Sequence, residues 1–252
     1  MLLEIKNLAV QFGGIRAVDD VSFKIAQGEV FTIIGPNGAG KTTIFNLISR
    51  IYQSNAGEII FDGRDITNSP AHRIASLGIA RTFQNIELFE NATVLQNLLL
   101  GRHPHRGGQG VLGEMLFLSR VRRREQEHRR RVEEIIDFLE LAHYRITPIS
   151  VLPYGVRKVV ELGRALACEP RLLLLDEPSS GLNVEETEDM SFWIKDIRDE
   201  LGVTVCMVEH DMSLVNGVSD RVLALNYGRV MAEGTPSMVQ DNAEVIKAYL
   251  GR

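Results

Sequence analysis

Val30-Phe31-Thr32-Ile33-Ile34-Gly35-Pro36-Asn37-Gly38-Ala39-Gly40-Lys41-Thr42-Thr43 passes from an apolar, β-branched run into a glycine-rich turn. The first five residues predict a parallel strand buried on both faces. Directly after the turn, Ile44-Phe45-Asn46-Leu47-Ile48 repeats apolar residues at helical spacing. Strand, turn and helix are the context in which the spacing G-x-x-x-x-G-K-[ST] cradles phosphate. Gly35, Gly38 and Gly40 let the backbone wrap closely around a polyphosphate, with Pro36, Asn37 and Ala39 completing the bend. The free N–H groups at the helix start, Thr43 included, point at it. Lys41 is expected to reach the β and γ phosphates, and the Thr42 hydroxyl to take one position on Mg²⁺. A site for a nucleoside triphosphate follows.

The rest of the chain is read outward from that loop. Its 252 residues allow one large domain or two small ones, and 44% hydrophobic with 24% charged residues suits a globular protein with a sizeable core. A net charge of −5 gives no general attraction to nucleic acid or anionic lipid. Cys168 and Cys206 are the only cysteines, and their apolar settings predict buried residues of a reducing compartment. Glu4 and Lys6 interrupt the first apolar residues, so no signal peptide is expected. No apolar run approaches the roughly twenty residues of a membrane span.

Leu2 to Val10 and Val18 to Ile25 alternate loosely between apolar and polar around Phe12-Gly13-Gly14, which predicts antiparallel strands. Phe12 has two readings, a ring offered to a nucleobase or a plain core residue. Gly57 to Phe61 predicts a strand closed by Asp62-Gly63, and Gly78 to Gln84 a strand ending in its glutamine. Leu95 to Leu100 is predicted helical, followed by a loop over Gly101 to Gly113. Ser119 to Leu141 predicts a long amphipathic helix with Val132, Ile135, Ile136 and Leu139 on one face. Its arginines, from Arg120 to Arg131, alternate with Glu125, Glu127, Glu133 and Glu134, which reads as a salt-bridged solvated face and not a nucleic-acid surface. His103, His105 and His128 lack acids or cysteines at ligand spacing and read as surface residues.

Leu172-Leu173-Leu174-Leu175-Asp176-Glu177 is the second informative stretch. Four leucines predict a buried strand that delivers two acids at its carboxyl end, where open α/β sheets bind ligands. Asp176 suits the Mg²⁺ shell, and Glu177 suits polarising an attacking water. Val203 to Val208 predicts another buried strand, and His210, just beyond it, is placed to reach a γ-phosphate.

Together these pieces resemble an ATP-binding-cassette ATPase over the whole chain. Gly35 to Thr43 match the family's Walker A loop, and Leu172 to Glu177 its Walker B strand with the following glutamate. Gln84 falls at its Q-loop, His210 at its switch histidine, and Phe12 at its adenine-stacking aromatic. Ser180, Gly181, Leu182 and Asn183 fall at the D-loop. Leu152 with Pro153, Tyr154, Gly155 and Val156 falls at the signature, normally L-S-G-G-Q. Finer strings, among them Phe12 to Val18, Arg81 to Asn85 and the ending Ala248-Tyr249-Leu250-Gly251, resemble ATPase subunits of branched-chain amino acid importers.

The resemblance implies an α/β fold: a RecA-like P-loop core with an N-terminal antiparallel β-subdomain and an inserted α-helical subdomain. It implies one domain over 1–252, with the RecA-like and β lobe near 1–88 and 166–252 and the helical part near 89–165. ATP and Mg²⁺ are the implied cofactors, the metal shared by Thr42, Gln84 and, through water, Asp176. Implied partners are transmembrane permease subunits, a second cassette and, indirectly, an extracellular or periplasmic solute-binding protein, with no nucleic acid. The place implied is cytoplasmic, on the inner face of the cell membrane. Two cassettes pair head to tail in such proteins, each ATP lying between one Walker loop and the opposite signature. Here Pro153 supplies neither a hydroxyl nor an N–H, and Val156 lacks glutamine's side-chain amide, so two unequal sites are expected in a heterodimer whose other cassette brings a fuller signature. By resemblance, Asn85 to Phe89 borders a groove for a permease helix; for Leu88 and Phe89, burial in the helical lobe is the other reading. An importer of another solute, an exporter or a non-hydrolysing regulatory module shares most of these motifs.

Overall fold

The four leucines show how the molecule is assembled. Leu172 and Leu174 enter one apolar cluster, and Leu173 and Leu175 enter another. Phe31 and Ile33 likewise part from Val30 and Ile34, and Cys206 and Val208 from Val205 and Met207. Successive side chains of a strand face opposite ways, so strands this rich in apolar residues require a core on both sides of their sheet.

The computed structural model describes residues 1–105 and 119–250. The described strands are β1 (Leu3–Phe12), β2 (Ile15–Ile25), β3 (Val30–Ile34), β4 (Ala56–Phe61), β5 (Arg64–Asp65), β6 (Ile79–Arg81), β7 (Leu172–Asp176), β8 (Thr204–Val208), β9 (Arg221–Asn226) and β10 (Arg229–Gly234). The described α-helices are α1 (Lys41–Ile48), α2 (Ala71–Ile74), α3 (Val94–Gly101), α4 (Ser119–Phe138), α5 (Tyr154–Leu166), α6 (Val184–Asp199), α7 (Met212–Val218), α8 (Pro236–Gln240) and α9 (Ala243–Leu250). A six-stranded sheet runs β10-β9-β3-β8-β7-β6, parallel from β9 to β6 with β10 antiparallel at its edge. A second sheet, β2-β1-β4-β5, is antiparallel throughout. Phe23 of β2 stacks on Phe31 of β3 with centroids 5.3 Å apart, so the two sheets share one cluster. The other cluster joins the opposite face of the main sheet to α3, α4, α5 and α6.

Several expectations are corrected. The strand predicted over 78–84 stops at Arg81, because the Phe83 N–H turns to the Glu161 carboxylate at 3.4 Å. The helix predicted to Leu141 ends at Phe138: Glu140 adopts φ 55°, and the Leu141 N–H returns to the Ile136 carbonyl at 2.8 Å. Cys206 is buried but Cys168 only half-buried. His128 is half-buried, its Nδ1 accepting from Arg102 Nε at 3.2 Å, while His103 is exposed. Most of the loop expected at 101–113, the side chains of His105 and Arg120, and Gly251 lie outside the described residues. The charged helix face is paired as expected, for example Arg129 with Glu125 at 3.7 Å and Arg131 with Glu134 at 3.2 Å. Leu88 packs against the core, whereas Phe89 is 61% exposed.

Candidate nucleotide site

The loop 35–40, Gln84, Glu177, Ser180 to Asn183 and His210 follow strands of the main sheet, Asp176 ends β7, Lys41 to Thr43 open α1, Pro153 to Val156 stand at the start of α5, and Phe12 ends β1 of the antiparallel sheet. The loop after β3 leads straight into α1. Gly40, at φ 102°, caps that helix so close to the Ala17 carbonyl oxygen that a Cβ would strike it. Lys41 is 7% exposed and donates from Nζ to the carbonyls of Gly35 at 2.7 Å and Pro36 at 3.1 Å. Burial pushes its ammonium below the ordinary lysine range, and the nearby Glu177 and Asp176 carboxylates pull it back up. Thr42 is exposed at the helix start. Pro36, Asn37, Gly38 and Ala39 wall a cleft of about 560 Å³ together with Tyr227 and, from α9, Glu244 and Lys247. Sequence reading gave no sign that the C-terminal helix reaches this loop.

Asp176 closes β7 and is 2% exposed. Its Oδ2 accepts from Arg81 Nη2 at 2.7 Å; its buried Oδ1 has no partner among the described residues. Arg81 also donates to Asn46 Oδ1 at 2.7 Å and lies over the rings of Phe45 and Phe83. A buried anionic oxygen with nothing to bind fits a Mg²⁺ ion or its bound water.

Glu177 leaves the sheet in a left-handed conformation, φ 52°, with its N–H held by the Val208 carbonyl at 2.9 Å. That backbone turns the carboxylate toward two other loops. Its Oε2 accepts from Gln84 Nε2 at 2.9 Å and lies 3.9 Å from His210 Nδ1. Gln84 and His210, from loops after two different strands, thus converge on one carboxylate. Beneath them Glu209 is fully buried and accepts the N–H groups of Ser179 at 2.9 Å, His210 at 2.8 Å and Asp211 at 3.1 Å. It ties the loop after β7 to the loop after β8. Glu209 stood in plain view beside His210 in the sequence, but only its buried N–H partners reveal the role.

Phe12 is 46% exposed and meets Tyr52 edge-on at 5.0 Å, which removes the core reading. The segment at 153–156 begins α5, with Pro153 as an N-cap that makes no side-chain bond. Exposed Tyr154 packs its ring against Gly181, and its hydroxyl donates to the Ser180 carbonyl at 3.4 Å. Gly155 is buried with the Glu186 carboxylate where a Cβ would stand, and Val156 turns inward against the core. Leu182 also packs inward, and Asn183 commits its side chain to capping α6. Of the eight residues at these two segments, Pro153, Tyr154, Gly181 and Asn183 are exposed, and Ser180 is half-buried.

A family profile described as ABC transporter matches residues 18–180, and one described as branched-chain amino acid ATP-binding cassette transporter matches residues 229–252. The high-affinity branched-chain amino acid transport ATP-binding protein BraF of Pseudomonas aeruginosa is 40% identical over 250 residues, 99% of this chain and 98% of that protein. A nucleotide-free ATP-binding cassette from an ABC transporter superposes with a TM-score of 0.86 at 30% identity, covering 100% of this chain and 99% of that one. A bacterial ABC transporter cassette solved in dimeric form superposes with a TM-score of 0.77 at 26% identity, covering 93% and 99%. Fold, loop and paired acids define a P-loop ATPase of the cassette type. The chain belongs to the ABC transporter family.

Proposed function

We propose that this chain binds MgATP at the loop 35–43, hydrolyses it with Glu177, and powers uptake of branched-chain or related amino acids through separate permease subunits. The convergence of Gln84 and His210 on the Glu177 carboxylate carries the catalytic part of this reading. The matched C-terminal profile and the name borne by BraF carry the choice of solute.

Lys41 and the N–H groups of the loop bind the phosphates. Phe12 offers an exposed ring face to the adenine. Thr42, Gln84 and Asp176 would hold Mg²⁺, which supplies charge neutralisation on the β and γ phosphates. The Glu177 carboxylate accepts a proton from water as the water oxygen attacks the γ-phosphorus; the bond from that phosphorus to the bridging oxygen breaks, and ADP and phosphate leave. His210, beside Glu177, contacts the γ-phosphate and links it to the partner cassette. Tyr154, Pro153, Ser180 and Gly181 face the nucleotide of a second cassette, and where that cassette is a different chain with a fuller signature, the missing hydroxyl and side-chain amide in 153–156 make the two sites of the heterodimer unequal. Among the described residues no helix is long and apolar enough to cross a membrane, which agrees with a peripheral subunit carried by permease chains on the inner face.

The test is Glu177→Gln. It is expected to bind ATP with near-normal affinity while phosphate release falls by about 10²–10⁴-fold. Turnover within a few-fold of wild type would remove Glu177 from the reaction.

A further inference from the structure

Helix α5 carries Lys158, Glu161 and Arg164 at successive three-residue steps, and the first two are 4% and 2% exposed. Each of the three bonds to the backbone of a loop that carries a catalytic group. Lys158 Nζ donates to the Glu177 carbonyl at 3.3 Å. Glu161 Oε1 accepts the N–H of Phe83 at 3.4 Å and of Glu87 at 3.5 Å, one on each side of Gln84. Arg164 donates from Nη1 to the Glu87 carbonyl, with its Nη2 at 3.9 Å from Glu161 Oε1.

An apolar face would pack here without the desolvation that buried charges incur. Burial pushes the Glu161 acid up; the two N–H groups, Arg164 and Lys158 oppose it. What the charged stripe adds over apolar packing is direction. Long hydrogen bonds from two amides to one oxygen, on either side of exposed Gln84, fix where segment 83–87 lies against the helix.

We propose that Glu161 is a positioning residue for Gln84, pinning segment 83–87 to α5 so that the Gln84 amide meets the Glu177 carboxylate. The inference rests on the role given to Gln84 above. Glu161 is 2% exposed and acts through the loop whose N–H groups it accepts.

The assembled transporter complex is purified with this chain as wild type, Glu161→Leu, Glu161→Gln, Gln84→Ala and the double variant Glu161→Leu/Gln84→Ala, and kcat and KM for MgATP are measured. Leu fills the space without an acceptor, whereas Gln keeps a carbonyl oxygen where both N–H groups converge. Glu161→Leu is expected to lower kcat about tenfold, with KM changed less than about threefold, and Glu161→Gln to restore most of the rate. In the Gln84→Ala background, Glu161→Leu should add little further loss, since both act at one point. Unchanged kcat in Glu161→Leu, equal loss in Glu161→Gln, or independent losses that multiply in the double variant would each overturn the inference. If Glu161→Leu does not fold, Glu161→Asp goes through the same cycle, keeping the charge while withdrawing the oxygens by one methylene. Normal turnover in Gln84→Ala would overturn the role of Gln84 and the inference with it. A slow Gln84→Ala beside a fast Glu161→Leu would overturn the inference alone.

Discussion

Asp176 and Arg81 form the most buried ion pair at the site, with side chains 2% and 7% exposed and Nη2 and Oδ2 2.7 Å apart. A carboxylate so deep is tolerated because the guanidinium, itself between two aromatic rings, meets one of its oxygens. Arg81→Leu leaves that charge uncompensated, and is expected to lower unfolding free energy by about 3–5 kcal/mol. Urea unfolding without Mg²⁺ measures the loss, and added MgATP should recover part of it. At this scale the sequence announced Asp176, Glu177 and Lys41, because their motifs are contiguous. Arg81, Lys158, Glu161 and Glu209 were silent, since the partners that define them come from segments tens of residues away and pattern alone does not place those together.

Elements were more legible than their ends. Strands β3, β7 and β8 declared themselves as unbroken apolar runs, and the alternation of 2–25 as an antiparallel pair. The misplaced ends at Arg81 and Phe138 depend on single backbone events, an N–H diverted to Glu161 and a left-handed Glu140, that no periodicity records. The start of α6 shows a residue at the D-loop position serving local structure. Asn183 accepts the Glu186 N–H at 3.0 Å, and the Glu186 carboxylate returns to the Asn183 N–H at 3.0 Å, a reciprocal cap. Asn183→Ala should therefore destabilise the chain by about 1 kcal/mol in denaturant unfolding. It should also loosen Glu186, which stands against Gly155, so the cap and the 153–156 segment respond together.

Across the whole molecule, nucleotide binding and folding draw on the same residues. MgATP at a hundred times its dissociation constant is expected to stabilise the fold by about 2.7 kcal/mol, a rise of about 5–10 °C in Tm for a chain of this size. Lys41→Ala should abolish most of that rise in a thermal melt with and without nucleotide, and an undiminished rise would place the ligand elsewhere. The fold class was legible from the order of strands, loop and paired acids. The approach of α9 to the loop was not, because nothing in 243–250 departs from an ordinary amphipathic helix.

Phe23 against Phe31 has a practical corollary. The outer sheet, which carries Phe12, and the strand that launches the phosphate loop are wedged into one oily seam, so neither can soften alone. Heat-labile replacements at Leu3, Ile5 or Phe23, far from any catalytic atom, would first surface as slack retention of ATP in protein that still looks intact.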